Sequence, residues 1–248
     1  LDYYHVKENR FTHYTHDPED INSLSNNSIW ALYKDRNGHI WIGTDKGVDR
    51  FDPSTKRFIH YKNGLRNHPI HIIYEDRAGN MYLGSDFNEL FVMTPDSELI
   101  EFEIAARAIL EDSKGRIWIG SESNNGLIQF DYRQGAVKNY KTADGLPSNQ
   151  IYGILEDHHS MIWLGTGKGL TRFNPETEEF VTYKAEDGIQ GDRFYYGAYC
   201  RCRSGELLFG GQHGLTRIDP DQILKNQLIP TVVITDFKIF NKEVPVGA

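Results

Sequence analysis

Apolar positions in this chain come in short alternating runs broken every few residues by turn chemistry. In 28–33, Ser28-Ile29-Trp30-Ala31-Leu32-Tyr33 reads as a strand, followed by the tight turn Asp35-Arg36-Asn37-Gly38. His39-Ile40-Trp41-Ile42-Gly43-Thr44 is a second strand, and Asp45-Lys46-Gly47 turns into a third, Val48-Asp49-Arg50-Phe51. Asp52-Pro53-Ser54-Thr55 turns again, and Arg57-Phe58-Ile59-His60-Tyr61 is the fourth. Asn-Gly and Lys-Gly supply the positive φ that hairpin turns need, and Asp-Pro ends a strand. Ile40 and Ile42 alternate with Trp41, so both faces of the second strand are apolar, as a sheet sandwiched between neighbours requires.

The pattern repeats. Trp41-Ile42-Gly43 returns as Tyr82-Leu83-Gly84, Trp118-Ile119-Gly120, Trp163-Leu164-Gly165 and Leu208-Phe209-Gly210, with glycines 41, 36, 45 and 45 residues apart. That period suits a propeller blade of four strands, and long 3.6-period stripes are missing, so helical repeats are excluded. Glu75-Asp76, Glu111-Asp112 and Glu156-Asp157 occupy the first turn of their units, and Phe173-Asn174-Pro175 and Ile218-Asp219-Pro220 mirror Phe51-Asp52-Pro53. Residues 1–14 align without a gap on 48–61, so the chain opens on the last two strands of a blade. The expected organisation is 1–22 as the end of a preceding blade and 23–221 as five repeats, the fifth without an obvious fourth strand. Residues 222–248 form a linker and one more strand, 229–237, which either closes the ring or begins a following β domain. The fold class is all-β: four-stranded antiparallel propeller blades belonging to a larger, seven-bladed ring.

Composition narrows the partners. The 248 residues carry a formal charge of -8, which disfavours duplex DNA and anionic membranes as partners. Two cysteines, Cys200 and Cys202, are too few for a disulfide framework. No apolar run is long enough to span a bilayer, and Leu1 opens no signal peptide, as expected of a mature or trimmed end. The 23 glycines and the 14 Tyr, 13 Phe and 4 Trp fit a chain of many turns and strands.

The strings Leu24-Ser25-Asn26-Asn27-Ser28-Ile29, Asp35-x-x-Gly38 and Trp41-Ile42-Gly43-Thr44-x-x-Gly47-Val48-x-x-Phe51-Asp52-Pro53 resemble the two-component regulator propeller repeat. Gly145-Leu146-Pro147-Ser148-Asn149-Gln150-Ile151 with Trp163-Leu164-Gly165-Thr166-x-x-Gly169-Leu170 repeats the match, and 229–237 is similar to the lead-in of the Y_Y_Y-type β-sandwich that follows such propellers. The resemblance implies the periplasmic sensor region of a Bacteroides-type hybrid two-component receptor. It implies an oligosaccharide ligand, the rest of the propeller and the sandwich as neighbours, and a homodimer in the whole receptor. Signalling would pass across the membrane to a histidine kinase outside this region. Tyr82 in place of Trp, Asp86-Phe87-Asn88-Glu89 in place of a turn glycine, and Leu208 in place of Trp depart from the repeat.

Gly165-Thr166-Gly167-Lys168-Gly169 suggests a phosphate loop, but a strand follows it where a helix is required, so it reads as a hairpin turn. His68-Pro69-Ile70-His71, His158-His159 and Cys200-Arg201-Cys202 have no complementary ligand set in the sequence, so no metal and no cofactor are expected. His71 reads as one position of an alternating strand. Asp35, Asp76, Asp112 and Asp157 follow the repeat and read as turn formers, so no catalytic residue is assigned. Residues that break the repeat in the loops of one mouth of the ring are the ligand candidates: Asn67, His68, Phe87, Asn88, Glu122, Asn124, Arg193, Tyr195, Tyr196, Gln212 and His213, with Glu89, Asn125 and Asp192 beside them. Amides, Arg and Tyr suit sugars, pairing with hydroxyls and covering the C–H face. The chain is thus expected to be a non-enzymatic sensor; a lyase-type propeller enzyme acting on a glycan or related small molecule, or a scaffold whose ligand binds elsewhere, are the alternatives.

Overall fold

The computed structural model describes residues 1–61, 64–65, 68–85, 88–121 and 125–223, and the strand residues 238–239 and 242–243. Strands β1 (Asp2–His5) and β2 (Arg10–His13), in the segment read from the sequence as a half blade, form a two-stranded antiparallel ribbon. The first full blade is β3 (Ile29–Lys34), β4 (Ile40–Thr44), β5 (Gly47–Asp52) and β6 (Arg57–Tyr61). The second is β7 (Ile70–Glu75), β8 (Met81–Ser85), β9 (Leu90–Met93) and β10 (Leu99–Phe102). The third is β11 (Ala106–Glu111), β12 (Ile117–Ser121), β13 (Leu127–Asp131) and β14 (Gly135–Tyr140). The fourth is β15 (Ile151–Glu156), β16 (Ile162–Thr166), β17 (Gly169–Asn174) and β18 (Glu179–Tyr183). The fifth has three strands among the described residues: β19 (Phe194–Arg201), β20 (Leu207–Gly211) and β21 (Gly214–Ile218). A short hairpin, β22 (Lys238–Ile239) with β23 (Lys242–Glu243), follows. Every sheet is antiparallel and in chain order, and the first strands of successive blades contact one another around the axis, so the molecule is a β-propeller. The strand expected over 229–237 lies outside the described residues.

The core lies between blades. Trp41 and Val48 pack with Ile73, Leu83 and Phe91 of the next blade, and Trp118 and Leu127 with Ile154, Leu164 and Phe173. Ile42 and Phe51 face the other way, toward Leu1 and Tyr14 of the half blade. This explains the alternation read in the sequence: Trp points to the following blade and Ile to the preceding one. Burying an indole such as Trp118, 1% exposed, stabilises the joint by roughly 3 kcal/mol.

Two devices bring blades together. The glycine that follows Trp-Ile lets the next first strand approach: a Cβ on Gly43 would lie 2.2 Å from the Ile70 carbonyl oxygen, and one on Gly84 2.6 Å from Ile72 Cγ2. The turn aspartate secures the Trp. Asp35, Asp112 and Asp157 accept from Trp41, Trp118 and Trp163 Nε1 at 2.9, 2.9 and 2.7 Å, while their other oxygen accepts backbone N–H groups of the turn. Tyr82, where Trp is replaced, keeps the bond: its hydroxyl donates to Asp76 at 3.0 Å.

Candidate functional site

The first and second strands of every blade slip register at one place: between Ile29 and Ala31, Ile70 and Ile72, Ala106 and Ala108, Ile151 and Gly153, and Phe194 and Tyr199. A bulge leaves one residue out of the ladder and re-aims its side chain. In the first four blades that residue is Trp30, His71, Arg107 or Tyr152. In the fifth, residues 195–198 stand opposite Gly210 alone, so Tyr195 and Tyr196 are both put out of the ladder and Gly197 turns at φ 69°. The bulges sit at the start of the innermost strands, beside the loops that join second to third strands. They therefore sit at the same end of the first strand in every blade, on the side of one mouth of the propeller, where Trp30, Tyr195 and Tyr196 are exposed and Tyr152 is buried beneath them.

These side chains touch across blades. Trp30, 55% exposed, stacks on His71 with ring centroids 4.6 Å apart, and its Nε1 donates to Asp45 Oδ1 at 2.6 Å. The Trp30 indole, then the Ser28 hydroxyl, hold the Asp45 carboxyl below its ordinary range. Arg107 lies 5.3 Å from the Tyr196 ring, which meets Tyr152 edge-on at 5.2 Å. Aromatic faces, a guanidinium and a carboxylate around one opening are a donor, acceptor and stacking set for a polar, hydroxyl-rich ligand.

The expected candidates divide into groups. Asn67, Phe87, Glu122 and Asn124 lie outside the described residues. His68 and Asn88 are in neighbouring loops of the second blade; Asn88 is exposed at φ 61°, and His68 Nδ1 lies 2.6 Å from Glu89 Oε2, which also accepts from Ser85 Oγ at 2.9 Å. Arg193, Gln212 and His213 gather around Gln190. Its side chain donates to the Arg193 carbonyl at 3.1 Å and accepts the His213 backbone N–H at 2.7 Å, and Gln212 N–H also donates to Arg193 O. Asp192 obeys the repeat after all. It accepts the Ala185 backbone N–H at 2.8 Å as Asn149 accepts that of Thr142, so it builds the loop.

Sequence reasoning missed Trp30, Asp45, Arg107 and Tyr152, and read His71 as one position of an unbroken alternation. The bulge takes His71 out of that alternation. A signal was present: the second position of each first strand changes chemistry from blade to blade between small or apolar neighbours. The glycines 165–169 form the turn joining β16 to β17, with Thr166 Oγ1 donating to the Gly169 carbonyl at 2.7 Å. A cavity of about 490 Å³ beside the first blade is lined by His16, Asp49 and His60. Those groups are committed to one another and to the backbone: His60 bridges Asp49 and the Ile21 carbonyl, and His16 meets the Leu24 carbonyl.

With the fold and this mouth in view, the chain can be placed among known proteins. Residues 23–46, 104–123 and 145–168 match the two component regulator propeller family, one segment in each of three blades. It is 25% identical over 247 residues to histidine kinase P4 of Formosa agariphila, covering 98% of this chain and 16% of that protein. The extracellular domain of a protein assigned as a hybrid two component system in B. thetaiotaomicron superposes with a TM-score of 0.65 at 20% identity, over 89% of this chain and 39% of that one. Virginiamycin B lyase from Staphylococcus aureus, in complex with quinupristin, superposes at 0.65 with 16% identity, over 81% and 70%. These structural likenesses establish the propeller. Among the described residues no helix is long and apolar enough to cross a membrane.

Proposed function

We propose that this chain is the ligand-sensing part of an extracytoplasmic, seven-bladed propeller in a hybrid two-component regulator, and that it senses an oligosaccharide. The observation that carries this reading is the set of bulged side chains, Trp30, His71, Arg107, Tyr152 and Tyr196, gathered at one mouth with aromatic and charged chemistry suited to sugars. The matched repeats and the extracellular likeness support the cellular setting. The domain itself is non-enzymatic in this reading. The rest of the ring, a following β-sandwich and a second receptor copy are its partners, and no nucleic acid is. Ligand must favour one arrangement of the dimer over the other, because only differential affinity shifts a conformational equilibrium.

The test is calorimetry and thermal melting of the receptor ectodomain containing this propeller against a panel of oligosaccharides. Binding by a subset, weakened at least about tenfold by Trp30→Ala or Tyr196→Ala, is expected, since stacking contacts carry about 1–2 kcal/mol each. Binding that both substitutions leave unchanged would make this propeller a scaffold and move the site elsewhere. A lyase-type enzyme is the second reading, favoured by the His68–Glu89 pair, in which a carboxylate orients an imidazole at the mouth as a general base requires. Glycan turnover abolished by His68→Ala would establish it over the sensor.

A further inference from the structure

The first turns of successive blades are clasped by one carboxylate. Arg36 N–H donates to Glu75 Oε2 at 3.0 Å and its Nε reaches Oε1 at 2.7 Å. Arg77 N–H donates to Glu111 at 2.7 Å, and Ser113 donates to Glu156 through its N–H at 2.8 Å and its hydroxyl at 2.6 Å. At the joint between the fourth and fifth blades the corresponding residues are His158 and Arg201, so the clasp has no carboxylate. The acid arrives from elsewhere. Asp221, in the 3-10 turn Pro220–Gln222 just after β21, places Oδ1 2.8 Å from His158 Nε2 and 2.9 Å from His159 Nε2.

Two imidazoles present the same ring nitrogen to one carboxylate oxygen, with ring centroids 4.1 Å apart. Each Nε2 lies within hydrogen-bond reach of Oδ1; in the tautomer with the proton on Nδ1 the same nitrogens present lone pairs, and the three potential ligand atoms lie within 4.8 Å of one another. A two-His, one-carboxylate set suits Zn²⁺ and its neighbours in the transition series, not Ca²⁺ or Mg²⁺, which prefer oxygen alone. Bonds of about 2.0–2.1 Å set tetrahedral ligand atoms roughly 3.3 Å apart; the two N···O distances here, 2.8 and 2.9 Å, are a few tenths of an ångström shorter, a difference exposed side chains can supply. Both supporting turns are fixed. Asp157 accepts the backbone N–H groups of His159 and Met161 at 2.9 and 3.0 Å, and Asp219 accepts that of Asp221 at 3.1 Å. Spacing in the sequence offered only the two histidines. The fold adds the third ligand from 62 residues further along the chain.

We propose that His158, His159 and Asp221 bind one divalent transition metal ion, Zn²⁺ or a close relative, which stands in for the missing carboxylate clasp between the fourth and fifth blades. Water completes the coordination at this exposed position, and the role proposed for the ion is to tie the His158 turn to the Asp221 turn. The test is titration of the metal-free protein with ZnCl₂, followed by calorimetry and by melting temperature. One equivalent is expected to bind with micromolar affinity, and at about 100 times Kd the melting temperature rises by several degrees. His159→Ala and Asp221→Asn each weaken binding at least tenfold and remove that rise, whereas His13→Ala, in the exposed Asp2–His13 pair of the half blade, changes neither. Melting of each variant without metal confirms that it is folded. Binding weaker than millimolar, or Zn²⁺ affinity that His159→Ala and Asp221→Asn leave intact, would overturn the assignment.

Discussion

At the scale of single residues, the aspartate of the first turn and the aromatic six positions later work as one unit. Asp112 is buried and its two oxygens receive Trp118 Nε1, Arg116 Nε and two backbone N–H groups. In the fifth blade both members are gone together: Cys202 stands where the aspartate would be and Leu208 where the Trp would be. A lone indole N–H or a lone carboxylate there would lack its partner, which is more costly than an apolar pair. Cys202→Asp and Leu208→Trp are therefore each expected to destabilise, while the double variant recovers about 1 kcal/mol relative to their sum in a urea-melt cycle. Additive effects would show that the two positions are independent. The same carboxylates set an acid limit. Burial pushes Asp35 and Asp112 up, but hydrogen bonds from Trp41 and His39, and from Trp118 and Arg116, outweigh it and hold both carboxyls below the ordinary range. A folded-state value below the unfolded one contributes stability that is complete above the unfolded value, near 4, and is lost as pH falls through the folded value. Melts between neutral pH and pH 2 should show this loss, and Trp118→Phe should diminish it.

At the scale of strands and blades, the second-strand glycine decides how closely blades approach. Gly43→Ala would drive a Cβ into the Ile70 carbonyl, a backbone atom that has no other rotamer, and should cost about 3 kcal/mol or more in a denaturant melt. Gly38→Ala is the contrast: at φ 88° with open space around it, it pays only the left-handed backbone penalty, about 1 kcal/mol. Equal costs would remove close approach as the reason for the glycine. These glycines, the Trp series and the strand limits were legible in the sequence because they recur and because hairpin turns need specific residues. Thus 57–61 and 40–44 emerge within a residue of their expected bounds. The mouth was less legible. Departures from the repeat in the sequence mark loop residues, yet Trp30, Arg107 and Tyr152 reach the mouth from strands, through bulges that alternation does not reveal. The fifth-blade bulge was visible only as an unusual Arg-Phe-Tyr-Tyr run, and Asp221 became a neighbour of His158 only through the path of the chain.

At the scale of the whole molecule, blades contact chiefly their neighbours, Arg107 of the third blade reaching Tyr196 of the fifth across the mouth, so stability is largely a sum of blades and joints. The joints are unequal. Those on either side of the third blade combine a large apolar cluster with a carboxylate clasp. Among the described residues the half blade contributes Leu1 and Tyr14 to the apolar cluster of its joint, and the last joint lacks a glutamate clasp. Within a blade the second strand is hydrogen-bonded on both sides, and in β8, β12 and β16 all five residues are buried. The outermost β14 instead shows four consecutive exposed residues. Local opening should follow both gradients, because backbone amides exchange where few apolar contacts must be broken. Hydrogen–deuterium exchange is expected to find β12 and β16 slowest, the fourth strands faster, and β1, β2 and β21 fastest. Zn²⁺ should slow exchange in β21 and the His158 turn while leaving β1 and β2 unchanged, since the proposed ion acts on the last joint alone. Equal protection of β2 and β12 would mean that the propeller opens as one cooperative unit, and the joint-by-joint description of its stability would then fail.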